Sequence, residues 1–233
     1  MPDTKKRIIV VTGHYGSGKT EFSVSLSILL TKTGRLGYGK IALVDLDIAN
    51  PYFRSRERSE LLEKKGVSVY AGFFKGEITA ELPALDASIR APLENEDCLT
   101  IVDVGGNDSG ARVLHQFEKY FLPENIIMLC VLNANRPETN TPEGALEHLK
   151  AIERETGMTV HGIINNCHLL METTAETVLK GHKLCEKVCE ASGKILWCDC
   201  YPAPLVKESE LNSITGGHKM PLGMYMRQSW LDK

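Results

Sequence analysis

Short runs of β-branched and aliphatic residues punctuate this chain, and between them lie longer stretches whose apolar positions recur at helical spacing. "RIIVVT" (7–12), "KIALVDL" (40–46), "LTIVDV" (99–104), "NIIMLCVL" (125–132), "TVHGIIN" (159–165) and "KILWCD" (194–199) read as buried strands. Residues 19–33, 109–120, 141–156 and 173–191 have the length and periodicity of helices. Near-continuous apolar strands alternating with helices predict an α/β fold with a mainly parallel sheet covered on both faces. In such a sheet, ligands gather at the carboxyl ends of the strands.

Residues 52–97 break the rhythm. "VSVYAGF" there reads as a short strand and "LENED" as a polar turn, which suits an excursion between two core strands better than a second domain. No repeat, low-complexity tract or linker is visible. A length of 233 residues with 42% hydrophobic side chains is enough for one substantial core, so residues 1–233 are expected to form a single domain.

The stretch "VVTGHYGSGKTEF" (10–22) fits G-x-x-x-x-G-K-[ST], with Gly13, Gly18, Lys19 and Thr20 at the fixed positions. Its context fits too, because a strand precedes it and a helical pattern follows. Glycines let the backbone curl until its N–H groups point at phosphate oxygens, and the helix N-terminus adds a positive dipole end. Residues 13–21 are therefore expected to hold a nucleotide: Gly13, His14, Tyr15, Gly16, Ser17, Gly18, Lys19, Thr20 and Glu21. Lys19 would reach the β- and γ-phosphates, and Thr20 would offer its hydroxyl to Mg²⁺.

Two aspartate-bearing strand ends extend this chemistry. "IALVDLDIANP" carries Asp45 and Asp47, and "LTIVDVGGND" ends on Asp103 followed by Gly105 and Gly106. Asp103 stands where a carboxylate holds Mg²⁺ through its water shell, and Asp47 where one orients or deprotonates an attacking water. The glycines would let a loop follow a γ-phosphate as it comes and goes. Asp45 reads slightly better as a cap or turn residue.

With "GHYGSGKT", "VDLDIANP" and "IVDVGGND" in place, the chain resembles the CobQ/CobB/MinD/ParA nucleotide-binding domain, the group of P-loop ATPases that includes MinD, ParA and nitrogenase iron protein. The resemblance extends to "GIINN" and to "YPAPLVKESELNSITGGHKMPLG", and so covers most of the chain. It implies a three-layer P-loop NTPase sandwich, ATP or ADP with Mg²⁺ as ligands, and slow ATP hydrolysis. It also implies that Asn166, with Asn165 as second choice, and the backbone of residues 201–204 around Pro202 flank the base. One position departs from the family: many members carry a second lysine after the first glycine, which in dimers reaches the partner's nucleotide, and this chain has His14 there. A histidine is shorter and mostly neutral at pH 7, which puts a sandwich homodimer and fast hydrolysis in question. Arg54, Arg56 or Arg112 could supply the missing charge, although each also reads as a solvated surface arginine.

Base choice follows partly from what is missing. Guanine-specific sites use N-K-x-D, and neither "VLNANRPE" nor "IINNCHLL" supplies that lysine and aspartate, so ATP is favoured over GTP. Arg136 and Pro137 open a polar loop that either touches a ligand or partner or simply connects.

Charge and composition narrow the partners. Lys and Arg total 27 against 30 Asp and Glu, a formal charge of -3, so no broad basic field for nucleic acid is expected. "MPDTKKRIIVV" has too few apolar residues for a signal peptide or a membrane span, and Pro221 and Gly223 interrupt any amphipathic membrane helix at the C-terminal end. A soluble, cytoplasmic protein is expected. Seven scattered cysteines suit reduced, buried thiols, without the C-x-x-C spacing of iron–sulfur relatives.

Three functions fit this reading. The first is an ATPase switch or assembly factor with a protein partner, and the second is an ATP-dependent kinase or ligase acting on a small-molecule acceptor, like CobB and dethiobiotin synthase. The third is a metallochaperone using the cysteines.

Overall fold

Among the described residues eight strands form one sheet, and every pairing between them is parallel. The computed structural model describes residues 6–34, 37–47, 58–71, 89–106, 108–214 and 217–226. In chain order the elements are β1 (Ile8–Thr12), α1 (Lys19–Lys32), β2 (Lys40–Asp45), α2 (Ser59–Lys64), β3 (Val67–Ala71), α3 (Arg90–Glu94) and β4 (Cys98–Asp103). They continue with α4 (Asp108–Gln116), β5 (Ile126–Leu132), α5 (Pro142–Thr156), β6 (Gly162–Asn165), α6 (Ala175–Ser192), β7 (Ile195–Pro202) and β8 (His218–Leu222). The spatial order is β3-β2-β4-β1-β5-β6-β7-β8.

Alternation of side chains across the pleat splits the core into two clusters, one on each face of the sheet. On one face Ile8, Val10, Val102 and Met128 meet Val113 of α4, Leu149 of α5 and Val188 of α6. On the other, Ile9, Val11, Leu43, Ile101 and Leu129 meet Phe22, Leu26 and Ile28 of α1 together with Met220 and Leu222 of β8. This is the three-layer α/β sandwich that the strand and helix pattern predicts, with a sheet that is wholly parallel among the described residues.

Local signals set several helix ends. The Thr141 hydroxyl accepts from the Gly144 amide, Pro142 opens α5, and Gly157 closes it with φ 67°. Thr174 and Thr177 form a reciprocal cap on α6. Among the described residues no helix is long and apolar enough to cross a membrane.

The structure sharpens the pattern in three places. The short strand read in "VSVYAGF" is present as Val67–Ala71, paired with β2 in register Asp45↔Ala71. His218–Leu222 forms an eighth strand beside β7, in a stretch whose polarity and Pro221 hide it; proline is tolerated at that sheet edge. Finally, α4 ends at Gln116 and residues 118–120 continue as a tighter turn, so the helix is shorter than 109–120 implied.

Candidate functional site

β1 lies between β4 and β5, so the loop that leaves its carboxyl end stands over the middle of the sheet. That loop is the glycine-rich stretch. The Ser17 amide donates to the His14 carbonyl (3.0 Å), and Gly18 starts α1 from a left-handed conformation (φ 85°, ψ 25°) that favours glycine. A side chain at Gly18 would also strike the Asn166 amide. Lys19 and Thr20 thus fall in the first turn of a helix whose N-terminus points at the strand ends, the arrangement that binds phosphate.

Three carboxylates gather under Lys19. The register pairs Asp45 with Asp103 across β2 and β4, and the Asp47 amide donates to Asp45 Oδ1 (3.2 Å). Lys19 Nζ lies 3.4 Å from Asp47 Oδ2, with both side chains only 5% exposed. Asp103 is fully buried, and apart from the nearby Thr20 hydroxyl neither of its carboxylate oxygens has a hydrogen-bond partner among the described residues. Burial, then the neighbouring Asp45, pushes its carboxyl up to about 7, with Asp47 adding to the rise and Lys19 opposing it.

Two orphaned buried oxygens beside the Thr20 hydroxyl are the hard-oxygen donors that Mg²⁺ takes, so these residues fit that ion. Among the described residues no group of three or more His, Cys, Asp or Glu is arranged to hold a metal. That is compatible with Mg²⁺, which commonly takes one or two protein ligands and fills the rest from phosphate and water.

Beside the loop opens a cavity of ≈ 230 Å³ whose walls include Asn166, His168, Pro202, Leu222, Met224 and Met226. The two asparagines separate cleanly. Asn166 Nδ2 donates to the Ser17 carbonyl (2.8 Å) at the cavity, whereas Asn165 is enclosed, donating to the Val178 carbonyl and to Asp199 Oδ1 (2.7 Å). Pro202 lines the same wall. Glu21 also borders the cavity, but its carboxylate accepts from the Tyr225 and Met226 amides and from the Ser25 hydroxyl.

The outer side of the loop holds what the sequence left open. His14 Nδ1 lies 3.0 Å from the Tyr15 carbonyl and 3.8 Å from Glu138, and its ring stands edge-on to His148 at 5.4 Å. Tyr15 is exposed. The arginine that reaches the loop is Arg136, whose Nε donates to the Gly16 carbonyl (2.8 Å). Arg112 is exposed on α4, while Arg54 and Arg56 lie outside the described residues. Arg136 reads in the sequence equally as a ligand or partner contact and as part of a connector, whereas His148 and His168 carry no signal there beyond a position on the helix or loop that follows a strand. Of the seven cysteines, six are buried and Cys189 is half-buried, and none forms a disulfide.

Gly106 presses on the phosphate loop, since a methyl group there would overlap the backbone of Gly13. Gly106→Ala should therefore displace the loop, costing roughly 1–3 kcal/mol of stability. ADP affinity should fall with it, read from a melting curve and an ADP titration of the same variant.

Two histidines here stay neutral well below their ordinary range. Burial, then His14 and Lys19, brings His148 down to about 4; burial, then Arg136, does the same for His168. Between pH 6.5 and 4 the unfolded chain binds a proton at each and the folded chain does not, so their contribution is present above pH 6.5 and lost as pH falls. Asp103 acts oppositely, losing its contribution as pH rises through about 7. His148→Phe should therefore reduce the proton uptake on unfolding by one between pH 4 and 6.5, measured from urea unfolding across that range.

Comparison with known proteins bears on the fold. No family model matches the chain, and neither does any curated protein sequence. Among solved structures, the chain is similar to the cell division protein FtsY of Thermotoga maritima, with a TM-score of 0.52 and 21% identity over 84% of this chain and 62% of that one. It is also similar to chloroplast FtsY of Physcomitrella patens, with a TM-score of 0.50 and 15% identity over 83% of this chain and 58% of that one. The chain spans about three-fifths of those proteins' length. At such identities the likeness establishes a P-loop NTPase fold, and it does not reach the narrower MinD/ParA grouping.

Proposed function

We propose that this protein binds ATP with Mg²⁺ at the loop of residues 13–20 and hydrolyses it slowly, as a nucleotide-dependent switch acting on a protein partner. The observation that carries the reading is the buried Lys19–Asp47 pair beside the orphaned carboxylate of Asp103, at the mouth of a phosphate-binding turn.

Lys19 and the loop amides would neutralise charge building on the γ-phosphate, and Asp47 would orient the water for in-line attack. Thr20 and Asp103 would hold Mg²⁺, which supplies further charge neutralisation on the phosphates when bound. Phosphate competes with Asp47 for Lys19, so ligand binding and the position of Asp47 are linked. Gly106, three residues past Asp103 and against the Gly13 backbone, would pass that change outward.

Base choice rests on the cavity. Guanine offers two adjacent donors that a carboxylate would accept, and the carboxylate at this cavity, Glu21, is already occupied by backbone amides. Pro202, Leu222, Met224 and Met226 instead offer an apolar wall suited to the face of adenine.

The test is turnover of ATP and GTP with Mg²⁺, alongside light scattering in ADP and in a non-hydrolysable ATP analogue. Slow ATP turnover with a mass change between the two nucleotide states supports a self-assembling switch. Tight ATP binding with neither turnover nor mass change removes the self-contained ATPase and points to a missing acceptor substrate.

A further inference from the structure

Beyond β8 the chain turns back over the start of α1, held there by two side chains of that helix, Glu21 and Ser25. Glu21 Oε1 accepts from the Tyr225 amide (3.0 Å) and Oε2 from the Met226 amide (2.7 Å). Ser25, one turn further along α1, donates its hydroxyl to Glu21 Oε1 (2.9 Å) and accepts from the Gly223 amide (3.1 Å). Successive amides curled around an anion form a nest, and here the anion belongs to the protein itself.

The turn is not one the chain adopts unaided. Met224 has φ 54°, an uncommon value for a residue with a side chain, which persists where surrounding contacts overdetermine it. The side chains this turn carries, Met224 and Met226, line the cavity together with Leu222.

We propose that Glu21 is a positioning residue for the base: its carboxylate fixes the turn of residues 223–226 as the wall of the nucleoside pocket while making no contact with the nucleotide. The proposal rests on the nucleotide reading above. It separates two parts of one ligand, because residues 13–20 would bind the phosphates and the Glu21-held turn the nucleoside. Thr20 and Glu21 are adjacent in sequence and would act on opposite ends of the ligand.

The discriminating experiment compares ADP with inorganic pyrophosphate, which shares the phosphates and lacks the nucleoside, on wild type and Glu21→Gln. Glutamine keeps the size but turns an N–H₂ toward one of the two amides. ADP affinity should fall about tenfold. Pyrophosphate affinity should stay within about twofold. Equal weakening of both ligands would mean that Glu21 supports the phosphate loop, and an unchanged ADP affinity would mean that the turn does not need it; either result overturns the proposal. In the unmutated chain, hydrogen exchange at the Tyr225 and Met226 amides should slow with ADP and not with pyrophosphate, and equal slowing by both overturns it independently of any folding defect. A wild type that binds pyrophosphate as tightly as ADP would instead overturn the nucleotide reading itself, and the proposal with it.

Discussion

Lys19→Met should all but abolish nucleotide binding, with affinity falling at least about a hundredfold, since a charge-assisted contact to phosphate contributes several kcal/mol in a site withdrawn from water. Methionine fills the same space, so the loss reports charge and not packing. The same variant should show a second effect on stability. Lys19 opposes the carboxylates of Asp47 and Asp103, and removing it leaves buried negative charge with less compensation. The carboxyl of Asp103, already up at about 7, should rise further, so the variant should be destabilised most above pH 7 and recover toward pH 5 as Asp103 takes up its proton. Melting temperatures at pH 5 and pH 8, wild type against variant, check the sign. An equal loss at both values would show that the lysine contributes through packing alone.

Asp47→Asn should have the opposite signature. The change removes the acceptor expected to orient water, and turnover should fall about a hundredfold or more, the usual scale for a general base or its equivalent. Binding should persist or tighten, because phosphate would no longer compete with a carboxylate 3.4 Å from the Lys19 ammonium. Initial rates over a range of ATP concentrations separate the two effects, as a lower kcat without a higher KM. Unchanged turnover would remove Asp47 from the chemistry and leave it as the lysine's ion-pair partner.

The parts of this protein legible in its sequence are those written contiguously. The five residues of β1 and the seven of β5 are all buried, and an unbroken apolar run announces that directly. The phosphate loop is a motif of eight consecutive residues, and Asp45, Asp47 and Asp103 show because a polar residue ends an apolar strand. What stayed hidden depends on contacts between distant segments. β8 alternates buried and exposed positions and contains Pro221, so only its pairing with β7 reveals it. Arg136 reaches Gly16 across 120 positions of sequence, and the amides of Gly223, Tyr225 and Met226 at the cavity wall are taken by Ser25 and Glu21, about 200 positions away. Asn166 and Asn165 are neighbours in a row, ranked in that order by the resemblance alone; in the structure one reaches the cavity and the other Asp199.

Everything proposed for this site turns on one adenine nucleotide binding at the loop with Mg²⁺. Calorimetric titration of the unmutated protein with ATP and with GTP, each with Mg²⁺ and with chelator, tests it directly. Saturable binding of one ATP per chain is expected, tightened by Mg²⁺, with GTP weaker by about tenfold or more. Binding of neither nucleotide would contradict the site, and tighter binding of GTP would contradict the assignment of the base.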